Sequence, residues 1–87
     1  MHDRALMRDV LARIVEVADT ERATRVTRIA VRLGALSHFT PGHFREHFAE
    51  AAEGTVAAGA EVQATLDADI DAPTAHGVVL ESVEVDC

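Results

Sequence analysis

Apolar residues at Leu6, Met7, Val10, Leu11, Ile14, Val15, Val17 and Ala18 recur every three or four positions, which predicts an amphipathic helix over residues 4–20. Asp3 suits the cap of that helix, because its carboxylate can accept the first free amides and sits at the positive helix end. A polar exit follows at residues 19–24, and then the period changes to two. Thr27, Ile29, Val31 and Leu33 alternate with Val26, Arg28, Ala30 and Arg32, as in a strand with one buried face, and Gly34 ends it. Thr40 is placed to cap a second helix, with Pro41 at its first position and Phe39 stapled onto Phe44. That helix runs to about residue 53, with Phe44, Phe48 and either Ala51 or Ala52 inward and Gly54 as its terminator. Val62, Ala64 and Leu66 alternate with Glu61, Gln63 and Thr65, giving a second half-buried strand over residues 60–66. Residues 67–77 are polar, acidic and turn-forming and read as a solvated connector. A last strand covers residues 78–85, with a slip of alternation at Glu81 and Ser82 that marks a bulge or an exposed edge. So short a connector implies an antiparallel hairpin of strands two and three.

The order α-β-α-β-β is that of an α+β fold, a two-layer sandwich with two helices on one face of a three-stranded mixed sheet. The 87 residues suit a single domain spanning 1–87, and a chain of this size buries only roughly 60% of its unfolded surface, so the core must be small.

Composition excludes several classes of function. With no tryptophan, no tyrosine and three phenylalanines, there is no aromatic platform for stacking bases. The formal charge is -7 and all eight basic residues are arginines between Arg4 and Arg45. Arg25, Arg28 and Arg32 alone share one segment, where they form the solvated side of a strand, so no nucleic-acid partner is expected. The lone Cys87 has no internal partner for a disulfide. No apolar run approaches the ~20 residues of a membrane span and no signal-peptide layout is present, so the expected compartment is the cytoplasm.

Three groups of side chains could carry metal chemistry. In Met1-His2-Asp3, the terminal amine, the following backbone amides and the His2 imidazole can close fused chelate rings on one ion of the nickel or copper type. The alternative is that His2 is simply the second residue of a frayed end. His43 and His47, one turn apart on the second helix, form an i, i+4 pair with Glu50 a turn further on, and the alternative for them is two half-exposed surface histidines. Asp67, Asp69 and Asp71 alternate as oxygen ligands would, but the stretch lacks the glycine and terminal glutamate of an EF-hand loop. Nothing pairs a nucleophile with an orienting base, Ser37-His38 being a turn dipeptide, so the chain does not read as an enzyme.

Taken together, Met1-His2-Asp3 with Leu6, Val10 and Ile14, then Arg25 to Ile29 running into Leu33-Gly34-Ala35-Leu36-Ser37, then Pro41 with Phe44 and Phe48, Gly54-Thr55, Gly59-Ala60-Glu61 and the closing Leu80-Glu81-Ser82-Val83-Glu84-Val85 resemble the HypA/HybF family of hydrogenase nickel-incorporation proteins. The resemblance implies a nickel metallochaperone that acts with a maturation GTPase on a nickel-enzyme precursor, hydrogenase or in some cases the urease pathway. It implies nickel bound by the Met1 amine, the His2 imidazole and nearby amides. The third residue, usually glutamate in the family, is here the shorter Asp3, which keeps the charge and leaves its backbone amide as the ligand. The bulky His2 should keep Met1 in place. The family also carries a zinc module with two Cys-x-x-Cys pairs between its last two strands, where residues 67–77 contain no cysteine, so no zinc is expected. Two classes follow, a minimal nickel carrier or a scaffold that keeps the fold and binds proteins without metal. By coordination chemistry copper should bind the amino-terminal site more tightly than nickel, leaving selectivity to supply and partners.

Overall fold

The computed structural model describes residues 2–87, with side chains from residue 4 onward. Helix α1 (His2–Thr20), strand β1 (Arg25–Leu33), helix α2 (Pro41–Ala52), strand β2 (Glu61–Leu66) and strand β3 (Val78–Asp86) follow one another in the expected order. Two helices and a three-stranded mixed sheet make an α+β fold.

The strand order is β2-β1-β3. The expected hairpin of β2 and β3 is therefore not formed, and each pairs instead with β1. β1 and β2 run parallel with α2 as the crossover between them, in the register Ile29 to Val62 and Val31 to Ala64. β1 and β3 run antiparallel, with Val26 opposite Val85, Ile29 opposite Val83 and Val31 opposite Leu80. Central placement suits β1, because it is the strand richest in fully buried side chains. Its core residues Val26, Ile29, Val31 and Leu33 are all buried.

Val26 corrects the expected alternation, which put it on the outer face. The β1–β3 register shifts between Val26 and Arg28 and again between Ala30 and Val31. A bulge lets two residues of one strand oppose one of its neighbour and so changes the face a side chain takes. The first shift returns Val26 to the core, and the second leaves Glu81 as the extra residue of β3, where the slip of alternation lies.

α1 buries Met7, Val10, Ile14 and Ala18, and α2 buries Phe44, Phe48 and Ala52. α1 begins at His2, and the cap expected of the Asp3 side chain lies outside the described side chains. α2 starts as its sequence dictates. Thr40 is extended and its side chain accepts a hydrogen bond from the His43 amide at 3.1 Å. Phe39 packs edge-on against Phe44 with ring centroids 5.5 Å apart, the staple that fixes the entry angle. Gly54, at φ 76°, turns the chain beyond α2, a conformation that glycine takes without steric cost.

Two further expectations are corrected. Leu66 is 53% exposed, because it lies at the end of an edge strand with cover on one flank only. The connector is not wholly solvated, since Ala75 is 2% exposed and its carbonyl accepts from the Leu36 amide at 2.7 Å, while the Gly34 amide donates to the Gly77 carbonyl at 2.9 Å.

Candidate functional site

The amino-terminal candidate begins the first helix. Met1 lies outside the described residues, as do the side chains of His2 and Asp3. What the fold supplies there is the platform, since α1 begins at His2 and its first turns pack against α2. An open groove separates the two helices, lined by Arg4, Met7, Arg8 and Leu11 on one wall and His47, Glu50 and Ala51 on the other. Sequence reasoning did not single out Arg4 and Arg8 as groove residues, although their i, i+4 spacing puts them on one face of α1.

His43 and His47 are brought together. Their Nε2 atoms are 2.8 Å apart, and the rings meet edge to face with centroids 4.3 Å apart. Both are half-buried, with His43 also 5.6 Å from the Phe39 ring centroid. Glu50 does not join them, for among the described residues no three His, Cys, Asp or Glu side chains converge in a way that could hold a metal ion.

The three connector aspartates do other work. Asp67 Oδ1 accepts from the Asp69 amide at 3.0 Å and Asp69 Oδ1 accepts from the Asp71 amide at 2.9 Å. These local turns satisfy the backbone of a short acidic loop. Ser37 and His38 also separate, Ser37 being buried and His38 exposed with a φ of 68°.

The arginines of β1 are each matched by an acid on a neighbouring strand. Arg25 pairs with Asp86 at 3.6 Å, and Arg28 reaches Glu61 at 3.6 Å and Glu84 at 3.8 Å. Arg32 pairs with Glu81 at 2.7 Å. Exposed pairs of this kind add at most about 1 kcal/mol each to stability, but they cancel the positive stripe that a polyanion would need. Among the described residues no helix is long and apolar enough to cross a membrane.

Comparison with known proteins bears on the family of the chain. The family model described as hydrogenase/urease nickel incorporation, metallochaperone, HypA matches residues 1–71, a stretch that includes Met1-His2-Asp3. A hydrogenase maturation factor HypA from Archaeoglobus fulgidus is 30% identical over 71 residues, covering 80% of this chain and 64% of the relative. One from Methylocella silvestris is 37% identical over 70 residues, covering 80% of this chain and 58% of the relative. The chain thus matches somewhat less than two thirds of the length of either relative. With its family model spanning the amino-terminal tripeptide, both helices and two of the three strands, this chain belongs to the HypA family of hydrogenase and urease nickel-incorporation metallochaperones.

Proposed function

We propose that the chain is a nickel-binding metallochaperone that assists maturation of a nickel enzyme such as a nickel–iron hydrogenase, carrying its ion at the start of α1. The observation that carries this reading is the family match beginning at residue 1, so that His2 stands inside the matched stretch. Nickel is cargo here. The ligands are the Met1 amine, the His2 imidazole and intervening backbone amides, with Asp3 contributing mainly through its backbone. Such a nitrogen set favours a planar site for Ni(II) or Cu(II). The partners by this reading are a maturation GTPase and the precursor of the nickel enzyme, meeting a cytoplasmic unit that spans residues 1–87.

A nickel titration of protein with an unmodified amino terminus tests the site. One ion per chain should bind tightly, and both His2→Ala and a peptide extension before Met1 should remove that binding. Tight binding that survives His2→Ala would refute it.

The cysteine-free stretch of residues 67–77 favours a second reading, a HypA-like scaffold that engages partners without transferring metal. Incubation of the nickel-loaded protein with the candidate GTPase or an apo-hydrogenase large subunit, followed by separation, distinguishes the two. Transfer that depends on His2 supports the carrier. Stable partner binding indifferent to His2→Ala supports the scaffold.

A further inference from the structure

From the facing nitrogens of His43 and His47 we infer a second metal site, a two-histidine chelate on α2 that takes Ni(II) or Cu(II) separately from the amino terminus. It goes beyond the proposed nickel-carrier reading and does not rest on it.

The geometry is that of a bite. With metal–nitrogen bonds of about 2.0–2.1 Å, two imidazole nitrogens at a right angle on one ion stand about 2.9 Å apart, and at the tetrahedral angle about 3.3 Å. The observed separation of the two Nε2 atoms is 2.8 Å, close enough for both nitrogens to reach adjacent positions on one ion. The rings are held by the helix. Their i, i+4 spacing puts them on one face, and each precedes a buried anchor, Phe44 after His43 and Phe48 after His47.

The two Nε2 atoms are within hydrogen-bond distance, with one ring donating and the other accepting according to tautomer. To accept an ion, both rings carry their proton on Nδ1 and turn about their side-chain torsions until each Nε2 lone pair points at a common ion beside the pair. The helix already sets the two rings on one face, so the adjustment is confined to the side chains. Water completes the coordination, because no third protein ligand converges on the pair among the described residues. Arg4 and Arg8 line the groove into which His47 looks, with Glu50 beside it. Two cations against one anion oppose a bound metal ion, which keeps its affinity modest.

The test uses full-length protein titrated with Ni2+ alone and followed by calorimetry, in wild type, His2→Ala, His43→Gln, His47→Gln and His2→Ala combined with His43→Gln. Melting curves of all five confirm folding, since both α2 histidines are half-exposed and glutamine is tolerated in a helix. The expected result is a residual equivalent of bound nickel in His2→Ala that is lost in the double variant, with the tight equivalent intact in His43→Gln and His47→Gln. Absence of nickel binding in folded His2→Ala overturns the second site while leaving the amino-terminal reading intact. Residual binding unchanged by His43→Gln overturns it equally. Tight binding unaffected by His2→Ala and lost with His43→Gln refutes the amino-terminal reading and supports the α2 chelate.

Discussion

Gly34 and Ala75 meet backbone to backbone: a Cβ built on Gly34 would collide with the carbonyl oxygen and carbon of Ala75, and with the carbonyl of Thr74. The connector between β2 and β3 is thereby seated on the end of β1, and the Gly34–Gly77 and Leu36–Ala75 hydrogen bonds hold it there. Gly34→Ala should destabilise the protein by about 1–3 kcal/mol, as overpacking against unyielding backbone does. Gly42, in the first turn of α2, meets nothing within 4 Å. Gly42→Ala should therefore stabilise by about 0.4–1 kcal/mol by lowering the entropy of the unfolded chain. Urea midpoints of the two variants should move in opposite directions.

Phe48 and His47 are neighbours with opposite roles. Phe48 is 1% exposed and stacks on Phe44 in the core, whereas His47 lies on the groove. Phe48→Ala should cost about 3–5 kcal/mol by lost burial and the cavity left behind. His47→Ala should cost a small fraction of that, and equal denaturation midpoints would contradict the facing of α2.

Thr40→Ala removes the acceptor for the His43 amide, which should cost about 1 kcal/mol. Thr40→Ser keeps the oxygen and should retain most of that stability. Thermal melts of the two variants at one pH make the comparison.

Nickel uptake should fall as pH drops, because protons compete with the ion for amine and imidazole nitrogens. Chelators should leave the melting temperature of the purified protein unchanged, since its core is apolar and no cysteine cluster couples zinc to folding. Excess nickel should raise it only to the extent that the folded state binds more tightly than the unfolded chain. A large drop in melting temperature with chelator would reveal a structural metal.

Local signals in the sequence translated well. Thr40, Pro41, the Phe39–Phe44 staple and Gly54 each act over five residues or fewer, where side-chain chemistry decides the conformation directly. Strand order did not, because the short polar connector suggested a hairpin and nothing local opposes one. The deciding signal is nonlocal: Arg25, Arg28 and Arg32 on β1 meet Asp86, Glu84 and Glu81 on β3 in reverse order. A basic strand and an acidic strand whose charges pair in reverse order carry the trace of antiparallel pairing. Val26 escaped because a bulge changes the face of a residue without changing its spacing. Of the metal candidates, the i, i+4 pair was legible from helical periodicity. Its partner wall, Arg4 and Arg8, was not, because it depends on how α1 crosses α2.

β2 and β3 sit on opposite edges of β1, and the chain joining them crosses the strand end, tied by the Asp67 amide to the Leu33 carbonyl and by the Gly34 amide to the Gly77 carbonyl. Between those ties, Asp69 and Asp71 are exposed. Extra chain entering there shifts no strand register, and doubling the length of such a link costs only about 0.6 kcal/mol in closure entropy. The crossover is therefore a grafting port. A separately folded cargo inserted between Asp69 and Thr74 would hang from the end of the sheet, leaving the helix layer and the groove beside His47 untouched.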